Sequence, residues 1–219
     1  MEGFGCGFQR LNMLRAEPGY EVVQLLVGNM QNFSYIISTE GICAVVDPSF
    51  GGRIISGEVR RRKLTVEYIL STHSHFDHNH DNEILVREFG AKVCAHSRSP
   101  IDKAVAIEEG DSLKLGGIQI RVFATPGHTP DSVCYVVPGG IFTGDTLFVG
   151  TCGRADLPGS DPKSLFRSLK RLSALQPDTI IYPGHDYGAT KTSTIEHEKM
   201  ENPALQQRSE NDFEQFVLG

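Results

Sequence analysis

Short apolar runs bounded by Gly, Pro and Asp recur along the chain: "YEVVQLLVG", "FSYIIST", "ICAVVDP", "VEYILST", "KVCAH", "GIQIRVFATPG", "SVCYVVPGG", "GIFTGD" and "TIIYPGH". Each is too short for a helix and rich in β-branched residues. Several do not alternate, which is the pattern of strands covered on both faces. The first three follow one another through short turns and predict an antiparallel start. Between the later runs the period changes. "DNEILVREFG" (81–90) places Ile84, Leu85 and Phe89 on one face and stops at Gly90, a C-cap signal. In "SDPKSLFRSLKRLSALQP", Asp161 is positioned to cap and Pro162 to open a helix, and Leu165, Phe166, Leu169, Leu172 and Leu175 share a face. A weaker helix runs through "STIEHEKMEN", ahead of Pro203. Strands first, then strands mixed with helices, predict an α/β sandwich with helices outside two sheets.

Composition adds boundaries to this picture. At 219 residues, 39% of them hydrophobic, the chain reads as one domain over 1–219 that has apolar material for a core without disulfides. After about residue 190 only a short helix and a tail are expected. The net charge of -6 offers no basic stripe to neutralise phosphates, which argues against nucleic-acid binding. Arg60, Arg61, Arg62 and Lys63 form the one basic cluster, read as a solvated loop before a strand. Cys6, Cys43, Cys94, Cys134 and Cys152 are odd in number and form no CxxC, a usage that suits free thiols in a reducing compartment. The start lacks a signal-peptide pattern, and no apolar run approaches the ~18 residues of a membrane span. The expectation is a cytoplasmic protein with no membrane partner, and a homodimer is the default state of a soluble enzyme.

The chemistry concentrates in "STHSHFDHNHDN" (71–82), which holds four of the eight histidines. "EYILST" leads into His73, "IRVFATPG" into His128, "GIFTG" into Asp145 and "IIYPG" into His185. Four times an apolar run ends in a tight turn followed by a potential ligand, and loops at strand ends commonly carry function. If these strands share one edge, His73, His75, Asp77, His78, His128, Asp145 and His185 converge. In extended chain, residues two apart point the same way, so His73 and His75 can share an ion, while Asp77 and His78 turn towards a neighbour. Imidazole and carboxylate suit Zn²⁺, and also Fe²⁺ or Mn²⁺. Seven ligands exceed one tetrahedral ion and suit two, with Asp145 as the natural bridge.

These motifs resemble the metallo-β-lactamase fold superfamily, from about "NFSYII" to "ENPAL". That resemblance implies a four-layered αββα sandwich with metals at one edge. It assigns His73, His75 and His128 to a first ion and Asp77, His78 and His185 to a second, bridged by Asp145. Other candidates read more plainly: His80 as an orienting or surface residue, His96 as a strand-end residue, and His197 as solvent-facing. Cys152 reads as a small buried residue rather than a nucleophile, and Asp47 as a loop-holding group.

Two ions bring the pKa of bound water from about 15.7 towards about 7, so a metal-bound hydroxide is available to attack a polarised carbonyl. Asp77 and Asp145 are then the catalytic carboxylates, with Asp77 orienting the hydroxide. "THSHFDH", "TPGHTPDSVCYVV", "FTGDTLFVGTCGRADLPG" and "YPGHDYG" look most like the glyoxalase II (hydroxyacylglutathione hydrolase) branch. That resemblance implies hydrolysis of a thioester such as an S-acylglutathione or related thiol conjugate, with Tyr187 and Arg154 binding substrate. The 34 residues after His185 are enough for a helix and a tail, so the helical C-terminal domain of full-length members is not expected within them. "TCGRAD" and "YPGHDYGATKTSTIEHEK" resemble instead the persulfide dioxygenases, in which a single Fe²⁺ is held by the counterparts of His73, His128 and Asp145. Phe76 and "NHDN" depart from that pattern, which leaves the dioxygenase as the alternative. Nucleic-acid-processing members would add a basic surface, flavodiiron proteins would replace His75 with an acid, and a non-enzymatic scaffold would have lost ligands.

Overall fold

The computed structural model describes residues 11–14 and 19–219; Cys6 lies outside them. Two mixed sheets carry the chain, and every run named above is a strand. The first sheet holds, in order, β1 (Leu11–Leu14), β2 (Glu21–Val27), β3 (Asn32–Thr39), β4 (Ile42–Val46), β5 (Thr65–Leu70), β6 (Lys92–His96) and β7 (Val105–Ile107). β2, β3 and β4 pair antiparallel, as the short turns require, and pairing from β4 to β7 is parallel. The second sheet holds β8 (Ser112–Leu115), β9 (Ile118–Ala124), β10 (Val133–Val137), β11 (Gly140–Gly144), β12 (Ile180–Pro183) and β13 (Ser193–Thr194), also side by side in chain order.

Three apolar layers account for four layers of structure. Every residue of β3 is buried, and the period of two sends its side chains to different layers. Phe33, Tyr35 and Ile37 meet Ile120, Tyr135, Phe142 and Tyr182 between the sheets. Ile36 faces outward with Val23 and Val45, against Ile55 and Val59 of α1 (Gly52–Arg61) and Leu85 of α3 (Asn82–Phe89). On the far side, Cys134, Ile141 and Ile181 are covered by Leu165 and Leu169 of α4 (Pro162–Leu172) and by Phe213. The αββα sandwich is therefore observed. Gly90 caps α3 in the left-handed conformation at φ 69°, and the Asp161 carboxylate accepts from the Lys163 amide at the start of α4. Leu175 lies beyond the last turn of α4 but still packs on its core.

Two expectations need correction. Arg60 and Arg61 form the last turn of α1 and Arg62 caps it, so this segment is a helix end rather than a solvated loop. Ile55 and Val59 anchor that helix, and Arg61 and Arg62 both donate to the buried Glu58 carboxylate, at 2.6–2.8 Å and 2.5 Å. Arg62 also reaches Glu21 on β2 at 2.9 Å. After residue 190 the chain forms three helices rather than one and a tail: α5 (Ile195–Glu201), α6 (Pro203–Gln206) and α7 (Glu210–Leu218). Phe213 docks α7 on α4, where it meets Phe166 with ring centres 5.6 Å apart. A short α2 (Phe76–Asn79) lies inside the histidine-rich stretch. No helix among the described residues is long and apolar enough to cross a membrane.

Hydrogen bonds from Arg61, opposed by burial and reinforced by Arg62, bring the Glu58 carboxyl down from 4.5 to about 2. A depressed carboxyl stabilises the fold above its unfolded pKa, and that contribution is lost as pH falls from about 4.5 through about 2. Glu58→Gln should therefore cost stability at neutral pH and flatten this acid limb in thermal unfolding scans. Because Arg61 is mostly in water, the cost should be about 1 kcal/mol. An acid limb identical to that of the parent chain would contradict it.

Candidate metal centre

The four strand-end turns meet at one edge of the sandwich, with β5 delivering His73 from the first sheet and β9, β11 and β12 delivering His128, Asp145 and His185 from the second. Hydrogen bonds across the gap hold the edges in register. The Phe33 amide donates to Gly184 O at 2.8 Å and the Val133 amide to Thr72 O at 2.8 Å. The buried Tyr35 hydroxyl donates to Pro183 O at 2.6 Å, and the Tyr135 hydroxyl to Ser71 O at 2.8 Å. Gly144 and Gly184 make the approach possible. A β-carbon at Gly144, whose φ is 47°, would overlap the Thr72 side chain, and one at Gly184 would overlap Asp145 Oδ1.

Ligand-type atoms gather in two trios, His73/His75/His128 and Asp77/His78/His185, with the atoms of each within 4.8 Å of one another. Asp145 lies between them. Its Oδ1 is 3.2 Å from His78 Nε2, and its Oδ2 is 3.3 Å from His185 Nε2 and 3.6 Å from His128 Nε2. All seven predicted residues are thus brought together, and Asp145 touches members of both sets. The structure also groups Asp47 with His73 and His78.

The outward nitrogens fix which ring atom points inward. His128 Nδ1 donates to Arg154 O at 2.8 Å, His185 Nδ1 to Met30 O at 2.9 Å, and His78 Nδ1 to Asp47 Oδ2 at 3.0 Å. Thr72 donates its hydroxyl to Asp47 at 2.6 Å and accepts from His73 Nδ1 at 3.0 Å. His73, His78, His128 and His185 therefore turn an Nε2 lone pair inward, while His75 presents Nδ1, 3.0 Å from His128 Nε2. Burial, reinforced by His78, holds His73 well below the usual imidazole range. Burial followed by His128 lowers His75. Both are neutral donors at pH 7.

These contacts test whether a cation fits. His78 Nε2 and His185 Nε2 lie 3.1 Å apart, and two lone pairs at that distance repel unless a proton or a cation lies between. Ligands on one tetrahedral zinc, at ~2.0–2.1 Å each, sit about 3.3 Å apart, close to what is seen. His73 Nε2 and Asp145 Oδ1 are buried with no hydrogen-bond partner, and such atoms call for an ion or a water. The cluster suits divalent metal.

Sequence reasoning missed Asn32. Fully buried at the head of β3, it donates from Nδ2 to Asp77 Oδ2 at 2.8 Å and holds that carboxylate in place. An amide residue heading the largely apolar run "NFSYII" was the available signal. Asp47 does more than hold loops. With φ at 45°, it accepts from the Thr72 amide and hydroxyl as well as from His78, and left-handed backbone at a non-glycine residue is a strain typical of working sites. Phe148 was also missed. Its edge meets His185 and Tyr187, with ring centres 5.7 and 5.3 Å away.

Among the predicted substrate residues, Tyr187 stacks on His185 with ring centres 4.7 Å apart and planes 8° from parallel, and about half of it remains exposed. Arg154 departs from expectation. Asp156 already grips its Nε and Nη2 at 2.8 and 2.7 Å, so only the remaining guanidinium edge is free for a substrate. His80 bonds Asp81 and packs on Phe50 and Phe76, away from the trios. His96 accepts from the Arg98 amide at the end of β6, and His197 is exposed on α5. Burial pushes the Cys152 thiol up to about 12, which removes it as a nucleophile at neutral pH.

An αββα sandwich with converging histidines and carboxylates at one edge is the scaffold of a metal-dependent enzyme. The chain belongs to the metallo-beta-lactamase superfamily, whose family model matches residues 27–185. A hydroxyacylglutathione hydrolase of Brucella anthropi is 36% identical over 162 residues, or 71% of this chain and 61% of that relative. The chain thus spans about six-tenths of that protein. The probable polyketide biosynthesis zinc-dependent hydrolase BaeB of Bacillus velezensis is 31% identical over 90% of this chain and 92% of its own length. Among solved structures, ETHE1 from Myxococcus xanthus superposes with a TM-score of 0.85 at 30% identity, covering 90% of this chain and 89% of that one.

Replacing Asp47 with Ala removes the acceptor for His78 and Thr72 together. Metal affinity should fall about 10- to 100-fold, the usual cost of losing a group that orients a ligand. Competition with a chromogenic chelator reads it, and an unchanged affinity would leave Asp47 a purely structural residue.

Proposed function

We propose that the protein is a binuclear metal-dependent hydrolase of thioesters, such as an S-acylglutathione or a related thiol conjugate. The observation that carries this reading is the second trio. Asp77, His78 and His185 are all present and buried, each oriented by a partner of its own: Asn32, Asp47 and the Met30 carbonyl. In this reading His73, His75 and His128 would hold one ion and Asp77, His78 and His185 the other, with Asp145 a ligand shared by both. Zn²⁺ leads, with Fe²⁺ and Mn²⁺ also compatible with the donor set.

When bound, two such ions supply Lewis acidity, enough to bring the pKa of water from about 15.7 towards about 7 and to polarise a carbonyl. The chain's own groups do the rest. Asn32 occupies Asp77 Oδ2, and in this reading the other Asp77 oxygen would accept a hydrogen bond from the attacking water and aim its oxygen at the thioester carbon. A C–O bond forms and the C–S bond breaks. The thiolate leaves with the electron pair and takes up the proton, giving a carboxylic acid and a thiol. Tyr187 offers its exposed half to the thiol portion, and Arg154 offers its free edge to a carboxylate there.

A second reading has its own support. The ETHE1 match spans about nine-tenths of both chains, and ETHE1 is a persulfide dioxygenase. The Arg154–Asp156 pair gives a physical role to the "R-x-D" that resembles that family. In that reading His73, His128 and Asp145 would hold a single Fe²⁺, which would supply the chemistry for O₂.

Elemental mass spectrometry on protein purified without oxygen or added metal separates the two. About two ions per chain with turnover of acyl-thiol substrates supports the hydrolase. About one iron, with O₂ uptake on adding glutathione persulfide, overturns it. His185→Ala should reduce two ions to about one and cut thioester kcat more than about 100-fold. Asp145→Ala should abolish turnover in either reading. Arg154→Ala should raise KM about tenfold, the worth of one charged hydrogen bond, with Tm held because its ion pair is exposed. An unchanged KM would remove Arg154 from the binding site.

A further inference from the structure

The C-terminal helices reach back to the metal centre through two buried side chains that the proposed chemistry leaves unused. Glu198 of α5 is buried. Its Oε2 accepts from the Gly150 amide at 2.8 Å and from Asn202 Nδ2 at 2.7 Å, and its Oε1 has no partner. Asn202, also buried, donates from the same Nδ2 to Thr151 O at 3.0 Å and Phe148 O at 3.4 Å. Its Oδ1 accepts from the Ala204 amide at 2.9 Å and so caps α6. Burying a carboxylate on two hydrogen bonds costs stability, and folding rules of this kind are broken mostly where function is served.

What the pair holds is the turn 147–152, which follows Asp145. Leu147 is bridged to Cys152, and the Phe148 amide donates to Thr151 O at 3.0 Å. At the tip, Phe148 O, Gly150 N and Thr151 O all end on Glu198 or Asn202. The anchor itself is firm: the Ile195 amide donates to Thr179 O at 3.1 Å, and Ile195 and Leu205 are packed in the far-side core. The turn in its own right backs Tyr187. Phe148 sets its ring edge against Tyr187, and Val149 lies so close to Gly188 that a β-carbon there would overlap it. We propose that Glu198 and Asn202 are positioning residues for the thiol side of the substrate site. They fix the turn, and through Phe148 and Val149 the turn fixes where the Tyr187 ring stands. This inference rests on the reading of Tyr187 as a thiol-side contact. It adds to that reading two groups outside residues 27–185, the span matched by the family model.

The test compares Glu198→Ala with Asn202→Ser, which removes the amide donors but keeps an oxygen to cap α6. With S-lactoylglutathione as substrate, each should raise KM about three- to tenfold, the range of a displaced aromatic contact. The value of kcat should stay within about twofold and metal content should match the parent. Glu198→Gln, which keeps an acceptor oxygen for Gly150 and Asn202, should bring KM back towards the parent value. In a Tyr187→Ala background neither change should raise KM further, because the pair acts through that ring. A lower Tm with KM unchanged, or a KM effect that adds in full to that of Tyr187→Ala, overturns the proposal. If Glu198→Ala does not fold, Asn202→Ser carries the comparison alone. If no thioester is turned over, the hydrolase reading fails and positioning is read from Tyr187 itself. In protein labelled with 3-fluorotyrosine, the fluorine signal that Tyr187→Phe removes should move in Asn202→Ser and stay in place in Glu198→Gln. A signal unmoved by Asn202→Ser overturns the positioning role.

Discussion

A centre whose ligands come from two sheets can be no more accurate than the register between those sheets. Five inward ring nitrogens and two carboxylates must converge to within a few tenths of an ångström, yet apolar packing between sheets is non-directional and tolerates sliding. The directional contacts lie at the edge itself: Phe33 to Gly184, Val133 to Thr72, Tyr35 to Pro183, and Tyr135 to Ser71. Each ends on the backbone within two residues of a ligand. All four are buried, so breaking one leaves an unpaired polar group at a cost of about 1–3 kcal/mol. The two tyrosines tie the register to the core, because their rings fill the layer between the sheets while their hydroxyls reach its rim.

Asp47 and Asn32 carry that register into the site. Both belong to the antiparallel part of the first sheet, and neither lies in the histidine-rich stretch. Asp47 spends its oxygens on Thr72 and His78, and through Thr72 it also orients His73. A single carboxylate thus sets one imidazole in each trio. Asn32 does the same for Asp77, and the Ser49 hydroxyl adds a bond to the Asp77 carbonyl. The head of β3 and the turn after β4 therefore supply the orienting groups for ligands that arrive later in the chain.

How much of this was legible in the sequence depends on what carries the information. The four strand-end turns before His73, His128, Asp145 and His185 were readable because apolar runs, glycines and ligand-type residues all leave marks in sequence. Nine strands and the helix at Pro162 were readable for the same reason. The helix Gly52–Arg61 was missed although its buried Ile55 and Val59 are four apart. Its two glycines and run of arginines carry the local signal of a loop, and packing on β4 and β5 overrode it. The bonds from His128 to Arg154 O and from His185 to Met30 O were not legible at all. A backbone carbonyl has no sequence signature, and any residue could stand at 30 or 154. Arg154 shows the reverse failure, because its residue type suggested a free cation while Asp156, two positions on, had already engaged two of its five N–H donors.

The orientation of the second trio bears on what the centre is built to hold. Turning either ring would relieve the repulsion between the inward nitrogens of His78 and His185, 3.1 Å apart. Instead Asp47 and the Met30 carbonyl hold both rings in the repulsive arrangement, with Asp77 held beside them by Asn32. Burying such a set uncompensated would cost several kcal/mol. A proton between the two nitrogens would relieve part of that cost, and Asp145 and Asp47 do raise the pKa of His78 against the effect of burial. A proton on His78, however, sets a single charge against two carboxylates, Asp145 Oδ1 at 3.2 Å and Asp77 Oδ2 at 3.5 Å. A divalent ion satisfies all of them at once. The second trio is thus the part of the cluster whose geometry most calls for a divalent ion.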